Sequence, residues 1–345
     1  MKKSLIALAV AGAFAAPAFA ATSNIDISGK MAWDVTKMGS TGTSDLDTYR
    51  VNNNNSRITV RGTEDLGGGM KAGFSATYNW GLGNGSQFTS QETYALLGGG
   101  WGEVRIGVHD PLIKPIARRV DLFADQSTGD ARHLTAQGGI DGRANNVLAY
   151  ISPNFSGFQV AVGHAMDETK GVSTAGSVNM ASLTYNNGPL YIGLGYDDRN
   201  DLGVGAPIAP TADDQTTWRV GASYSLGDLR FVGMYQSTDS VGGTAGADVK
   251  VWGLGAGYTM GALTFKGQYY DLSDDRASRD ASAYALGVDY AFSKRTVAQL
   301  AYSKVKNDSG INYGGATVAG GTNDAIAIAN GADPTRLSLG IVHNF

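Results

Sequence analysis

Residues 70–80 read Met-Lys-Ala-Gly-Phe-Ser-Ala-Thr-Tyr-Asn-Trp, and their apolar and polar side chains alternate one by one. In an extended strand Phe74 and Tyr78 fall on one face, whereas Lys71 and Ser75 fall on the other. A period of two residues predicts a β-strand with one apolar side and one polar side.

The same alternation recurs along the rest of the chain and predicts about sixteen strands. An even number of antiparallel strands is typical of single-chain outer-membrane barrels. The predicted strands lie near Ile25–Lys37, Ser56–Thr63, Met70–Trp80, Glu92–Leu97, Gly102–His109, Asn146–Ser152, Gly157–Ala165, Val178–Tyr185, Leu190–Asp197, Thr216–Ser225, Leu229–Ser237, Val249–Tyr258, Leu263–Tyr270, Ser282–Phe292, Thr296–Lys304 and Thr335–Phe345.

The predicted connections alternate between tight turns and long polar stretches. The long stretches include Gly39–Asn55, Asp198–Gln215 and Asn307–Asp333. Short turns at one end and long loops at the other are the pattern of a membrane barrel. Hydrocarbon offers no partners to backbone N–H and C=O groups, so a spanning sheet must close on itself. The sequence therefore predicts an all-β protein, a 16-stranded antiparallel transmembrane β-barrel with a water-filled lumen.

The first twenty residues predict export. Lys2 and Lys3 precede an uninterrupted apolar run, Leu5–Ala16, and Ala18–Ala20 supplies a small-x-small site with cleavage before Ala21. The run is shorter than the roughly 18 to 20 apolar residues that span a bilayer. We therefore expect a signal peptide at 1–20, a barrel at 21–345, and export through the Sec pathway to the cell outer membrane.

Composition argues against several other classes of protein. The chain of 345 residues has no cysteine and a formal net charge of −4, so neither a zinc–thiolate site nor a nucleic-acid partner is expected. The histidines are scattered and no pair has metal-ligand spacing, so we expect no metal, no cofactor and no enzyme activity. A barrel hydrolase is the enzymatic alternative, with His164 near Ser173 or Ser177 as the pair that it would use.

Four segments resemble a known family. They are Ser56–Gly69, Gly102–Gly107, Arg143–Phe158 and Leu337–Phe345. Together they resemble the general Gram-negative porins of neisserial and β-proteobacterial outer membranes. The resemblance implies passive diffusion of small hydrophilic solutes and ions, a homotrimer, and a third loop that folds into the barrel. Phe345 matches the closing residue of the family, where it implies an assembly signal for the barrel-assembly machinery. The other expected partners are outer-membrane lipid and lipopolysaccharide.

The connection that follows the fifth predicted strand, about residues 109–142, is the candidate constriction loop. It carries apolar residues that an uncovered surface loop rarely needs, namely Leu112, Ile113, Ile116, Leu122 and Phe123. Long ordered loops are usually functional. The alternatives are a small extracellular subdomain or a contact within the trimer.

Alternate positions of each predicted strand face the lumen, and a residue at such a position is said to have lumen parity. Charged residues with lumen parity, together with those of the candidate loop, are the candidate selectivity residues. We expect a basic wall of Arg57, Arg61, Arg105 and Arg143 facing loop residues Arg118, Arg119, Asp121, Asp125 and Asp130. A charge on the lipid face would cost roughly 2 to 4 kcal/mol at the midplane, so these arginines must face water. Rings of fixed charge set the selectivity of a pore. The prediction is a mild preference for anions. The arginines could instead be structural partners of loop carboxylates, and a channel specific for small anions such as carboxylates is the functional alternative.

Overall fold

The computed structural model describes residues 23–42, 46–81, 88–166, 176–200, 213–315 and 325–345, so the predicted signal peptide lies outside the described residues. Most of the described chain is β-strand. The first nine strands are β1 (Ser23–Thr41), β2 (Leu46–Asn53), β3 (Arg57–Gly67), β4 (Met70–Asn79), β5 (Thr89–Gly99), β6 (Gly102–His109), β7 (Ala144–Ile151), β8 (Phe158–Ala165) and β9 (Ser177–Asn187). The others are β10 (Leu190–Asn200), β11 (Gln215–Leu226), β12 (Leu229–Asp239), β13 (Val249–Met260), β14 (Leu263–Asp274), β15 (Ala281–Ala291), β16 (Thr296–Asn307) and β17 (Asp333–Asn344).

The strands form one closed antiparallel ring. One edge of β1 pairs with β17, from Lys30 opposite Asn344 to Thr41 opposite Asp333. The other edge of β1 pairs first with β3 and then with β2, so β2 and β3 share one place in the wall. The described strands therefore occupy sixteen positions in a wall that closes on itself, and the predicted fold class is confirmed.

The predicted loop Gly39–Asn55 is wrong. β1 continues to Thr41, and Leu46–Asn53 forms the separate strand β2. This strand is rich in polar residues, which hides its alternation, yet Tyr49 and Val51 point outward with 69% and 55% of their surface exposed. The ladder to β1 satisfies the backbone groups there, so pairing decides the conformation although the composition is that of a loop.

The two ends of the barrel differ, as the sequence predicts. Two-residue turns join β9 to β10, β11 to β12 and β13 to β14. Each begins with a glycine of positive φ, Gly188 at 55°, Gly227 at 58° and Gly261 at 62°, which is the backbone conformation that such tight hairpins require. The longer connections leave from the opposite end, which in outer-membrane barrels is the extracellular one.

The outer face of the wall is apolar. Outward-facing leucines such as Leu254 and Leu339 expose 62% and 63% of their surface. Tyr224, Tyr258 and Tyr290 pair with the first residues of the neighbouring strands, close to the short turns. An amphipathic ring is favoured at this level, the boundary between membrane and water. Among the described residues no helix is long and apolar enough to cross a membrane.

The connection from β6 to β7, residues 110–143, packs against the inner surface of the wall. It contains α1 (Lys114–Val120), α2 (Arg132–Thr135) and a 3-10 turn at Gln137–Gly139. Ile113 and Ile116 of this inner loop are buried against glycines of β10 and β11. A Cβ added at Gly195 would lie 2.6 Å from Ile113 Cγ2, so the inner wall offers α1 a floor without side chains.

Polar side chains of the wall bind the inner loop from several directions. Arg219 of β11 is fully buried and donates to the carbonyls of Ile113 and Thr135 at 3.1 and 3.2 Å. Gln268 of β14 donates to the Gly129 carbonyl at 2.8 Å, and Arg336 of β17 donates to that of Ser127 at 2.6 Å. These side chains all have lumen parity, so the loop lies inside the barrel.

Candidate functional site

A charged passage remains between the inner loop and the wall formed by β3, β4 and β5. It is a space of about 440 Å³ whose lining is mostly polar. The basic lining residues are Arg57, Arg61, Lys114, Arg118, Arg132 and Arg143, and the acidic ones are Glu92, Asp110 and Asp125. Cations thus outnumber carboxylates two to one in this lining.

Asp125 is the carboxylate at the centre of the passage. Its Oδ2 accepts from Lys30 Nζ at 3.0 Å and from Arg57 Nη1 at 3.1 Å, while its Oδ1 accepts from Arg118 Nη2 at 2.9 Å. Arg132 Nη2 lies 3.6 Å from the same Oδ1. Burial by itself would raise the pKa of Asp125, but Arg118, Lys30, Arg57 and Arg132 together hold it well below its ordinary value. One carboxylate is therefore shared by four cations.

Arg118 and Arg132 both form ion pairs with a second, buried carboxylate. Asp130, whose side chain is completely buried, pairs with both guanidinium groups at 3.0 Å. Burial opposes ionisation of Asp130, yet the two arginines hold its pKa at about 2. This buried ion pair network fixes the direction in which Arg118 and Arg132 face the passage.

A second group of charges lies where the inner loop leaves the wall. Asp110 Oδ1 is 2.7 Å from Lys114 Nζ and 3.2 Å from Arg143 Nε. The Lys114 pair has the i, i+4 spacing of neighbouring side chains on a helical turn. Here too a single carboxylate faces two cations.

Arg61 of β3 also lines the passage and is exposed to it. Within the described ranges, Arg61 has no carboxylate partner. Guanidinium groups stay charged at any physiological pH. Arg61 therefore contributes a full positive charge to the water in the passage.

Some of the residues predicted from the sequence lie outside this lining. Arg105 is turned towards Glu103, to which its Nε donates at 2.7 Å, and its guanidinium stacks over the Tyr94 ring at 4.7 Å. Arg119 stacks over Tyr191 at 5.4 Å. Both arginines therefore interact with side chains of the wall and not with the lining of the passage.

Asp121 and Asp130 form the buried base of the inner loop and do not face the passage. Asp121 Oδ1 accepts from the Phe123 backbone N–H and from Gln268 Nε2, each at 2.9 Å. Of the predicted site residues, the structure brings together Arg57, Arg61, Arg143, Arg118 and Asp125.

Sequence reasoning missed Lys30, Lys114 and Arg132. Lys30 had a usable signal, because it has the same lumen parity as Asp34 in β1. Lys114 follows Asp110 by four residues, which indicates an ion pair if the segment is helical. Arg132 offered no such signal, since its position depends on the fold of the whole inner loop.

The alternative of a barrel hydrolase rests on His164 of β8. Its Nδ1 lies 2.9 Å from Asn179 Oδ1, across the β8–β9 ladder. Ser173 lies outside the described residues. The geometry therefore gives His164 an amide partner on the neighbouring strand.

A closed sixteen-stranded barrel with a charged aqueous passage defines an outer-membrane diffusion channel. The family model described as Gram-negative porin matches residues 7–310. The chain belongs to this Gram-negative porin family, and its localisation is the outer membrane. It is a porin through which small solutes diffuse, as the sequence predicts.

Individual relatives agree with this assignment. Outer membrane porin protein 32 of Delftia acidovorans is 32% identical over 368 aligned positions, which cover 100% of both chains. The structure of an anion-selective porin from Comamonas acidovorans superposes with a TM-score of 0.77 at 27% identity, covering 94% of this chain and 100% of that one. A trimer form of OmpT from Vibrio cholerae, at 13% identity and a TM-score of 0.67, covers 94% of this chain and 99% of its own and shares the fold. These relatives are channels, not enzymes.

Proposed function

We propose that this porin favours small anions mildly over cations and that the passage beside the inner loop sets this preference. In this proposal residues 109–142 form the constriction loop of the mature barrel, 21–345. The observation that carries the proposal is the excess of cations in the lining, six basic residues against three acidic ones. The Comamonas acidovorans relative, described as anion-selective, supports the same assignment.

The physical basis is the short range between a permeating ion and the fixed charges. A unit charge about 4 Å away contributes about 1 kcal/mol in bulk water and about 4 kcal/mol at an effective dielectric constant of 20. Asp110 and Asp125 are already paired with basic side chains and attract cations weakly. Arg61, which has no carboxylate partner among the described residues, attracts anions fully. The expected preference is therefore real but moderate, and it weakens as salt screens the charges.

The first prediction is that Arg61→Gln lowers the preference for anions. Loss of about 1 kcal/mol of attraction corresponds to a roughly fivefold fall in the ratio of anion to cation permeability. The measurement is the reversal potential across a planar bilayer with a potassium chloride gradient. Glutamine keeps a polar hydrogen-bonding side chain without the charge and leaves no carboxylate of the described residues without its partner.

Arg295→Gln is the matched control, because Arg295 is exposed in the turn between β15 and β16 and lies outside the lining. The control should keep the wild-type reversal potential. A wild-type potential that favours cations, or equal shifts in both variants, would refute the proposal.

We further propose a homotrimer embedded in lipid and lipopolysaccharide and assembled through the C-terminal strand. The exposed apolar outer wall supports contact with lipid and with other copies. The trimeric Vibrio cholerae relative has the same fold. Light scattering on the detergent-purified protein, corrected for bound detergent, would show the mass of three chains, and the mass of one chain would exclude the trimer.

A further inference from the structure

Four consecutive asparagines, Asn52–Asn55, lie at the junction where β2 gives way to β3 in the wall. A polar run of this kind is typical of an exposed turn. Asn52, Asn53 and Asn54 nevertheless expose at most 4% of their surface. A buried amide N–H group needs a hydrogen-bond acceptor, so the acceptors of this run show what the run holds in place.

Two of these asparagines bind the same carboxylate, that of Asp34 on the lumen side of β1. Asn52 Nδ2 donates to Asp34 Oδ1 at 2.7 Å, and Asn54 Nδ2 donates to Asp34 Oδ2 at 2.5 Å. Thr36, two residues further along β1, donates its hydroxyl to Asp34 Oδ1 at 2.5 Å. Asp34 is buried, with 5% of its surface exposed, and these neutral donors fix the direction of its carboxylate.

The fourth donor to Asp34 comes from the inner loop. Ser127, which is fully buried, donates its hydroxyl to Asp34 Oδ2 at 2.5 Å, and the same hydroxyl lies 3.1 Å from Thr36 Oγ1. Hydrogen bonds to a carboxylate are roughly twice as strong as those between neutral groups. Arg336 binds the carbonyl of Ser127 from the other side. The tip of the loop is therefore attached to the wall through both the side chain and the backbone of one residue.

Ser127 lies two residues after Asp125, the carboxylate at the centre of the passage. Asp125 contacts Lys30, which has the same lumen parity in β1 as Asp34. Asn55, the last asparagine of the run, donates to Asp125 Oδ1 at 3.2 Å. The tip thus contacts the lumen face of β1 at two points, so a displacement of Ser127 also moves Asp125 relative to Lys30.

We propose that Asp34 is a positioning residue for the ion selectivity of the passage. Asn52 and Asn54 orient its carboxylate, the carboxylate holds Ser127, and Ser127 keeps Asp125 in place among its cations. Asp34 does not line the passage itself, so it acts through the tip of the inner loop. The inference rests on the proposed function, because it names what sets the position of the central carboxylate.

The test measures the reversal potential of Ser127→Ala in planar bilayers with a potassium chloride gradient. The substitution removes the hydroxyl that binds Asp34 and changes no charge. The tip should then leave Lys30 and Arg57 for part of the time, so the ratio of anion to cation permeability should rise about twofold. Ser223→Ala is the matched control, at a buried serine on the lumen side of β11. An unchanged potential in Ser127→Ala, or equal shifts in both variants, would overturn the proposal.

A double-mutant cycle shows whether Asp34 acts through Asp125. Asp34→Asn should shift the potential in the same direction as Ser127→Ala. The shift should disappear in the Asp125→Asn background, because the tip then has no charge to place. A direct effect of the Asp34 charge on permeating ions would add to that of Asp125→Asn, and additive shifts would refute the positioning role. If Asp34→Asn does not reach the membrane, Ser127→Ala in the Asp125→Asn background makes the same comparison.

The sign of the wild-type potential separates this inference from the proposed function. A wild type that favours cations, with a Ser127→Ala shift that vanishes in the Asp125→Asn background, would keep the positioning role and refute the anion preference. A wild type that favours anions, with no shift in Ser127→Ala, would keep the anion preference and refute the positioning role.

Discussion

At the scale of single residues, Asp125 controls the charge of the passage. It contacts Lys30, Arg57 and Arg118, and its backbone is left-handed with a φ of 61°. Few residues other than glycine, asparagine and aspartate adopt this conformation readily. The position therefore combines a backbone requirement with an electrostatic one.

The second prediction concerns Asp125→Asn, which removes the charge and tolerates the left-handed backbone. Four cations then lose their shared counterion, so we expect the ratio of anion to cation permeability to rise several-fold. Reversal potential measures the change, with Asp228→Asn at an exposed turn as the control. A shift towards cations would show that Asp125 does not act through its charge.

The third prediction is the pH dependence of stability. The pKa of Asp125 is well below its ordinary value of 3.8, and that of Asp130 is about 2. Groups with lowered pKa values stabilise the folded state fully above their unfolded values, and this contribution is lost as pH falls through the folded ones.

Protonation of these two aspartates should therefore lower the thermal unfolding temperature, measured in detergent, as pH falls from about 4 towards 2. The unfolding temperature of Asp125→Asn should fall less over the same pH range, because the variant lacks one of the two titrating carboxylates. A variant that falls as steeply as the wild type would contradict the assignment.

At the scale of elements, the packing of α1 on the wall depends on glycine. Gly193, Gly195 and Gly221 leave the inner surface of β10 and β11 bare, and Ile116 packs into the space. Helix α1 has only seven residues, too few for stability on its own. Its position is therefore fixed by the wall and not by its helix propensity.

The fourth prediction is that Gly195→Ala displaces α1. The added methyl would lie 2.6 Å from Ile113 Cγ2, an overlap that costs typically about 1 to 3 kcal/mol. We expect a lower unfolding temperature and an altered single-channel conductance. Gly257→Ala is the control, because the nearest atom to its new methyl would be the Phe265 carbonyl oxygen at 3.7 Å, an ordinary contact distance. Equal effects of the two substitutions would mean that α1 is not held by the glycine floor.

At the scale of the whole molecule, the ring closes next to the C-terminus. The backbones of Gly29 and Phe345 exchange two hydrogen bonds, at 2.9 and 3.0 Å. A Cβ on Gly29 would lie 2.4 Å from the Phe345 ring, so the ring rests directly on the glycine. The terminal residue is thus part of the seam that removes the last free edge.

The fifth prediction separates the aromatic ring from the seam. Phe345→Ala keeps both backbone hydrogen bonds but removes the proposed assembly signal, so we expect less protein in the outer membrane and more in the periplasm. Fractionation and immunoblotting measure the distribution, with His343→Ala as the control on the same strand. Equal amounts of wild type and Phe345→Ala in the outer membrane would refute the signal.

The sequence predicted the wall far better than the site. Alternation identified β4 and β15 to within one residue at each end, because each has one apolar face towards lipid. It failed at β2, whose polar residues resemble those of a loop. For the site, parity placed Arg57 and Arg61 correctly in the lumen, yet it could not show that Arg105 would turn to Glu103.

The sequence alone determined the closed barrel, because a sheet in hydrocarbon must satisfy every backbone group and alternation is local along each strand. Only the tertiary structure decided which charges share the passage. Lys30 and Asp125 are 95 residues apart in the sequence and meet because the inner loop folds back onto the glycine floor of the wall. Ion pairs act over a few ångströms, so their pattern follows from that fold and not from spacing along the chain.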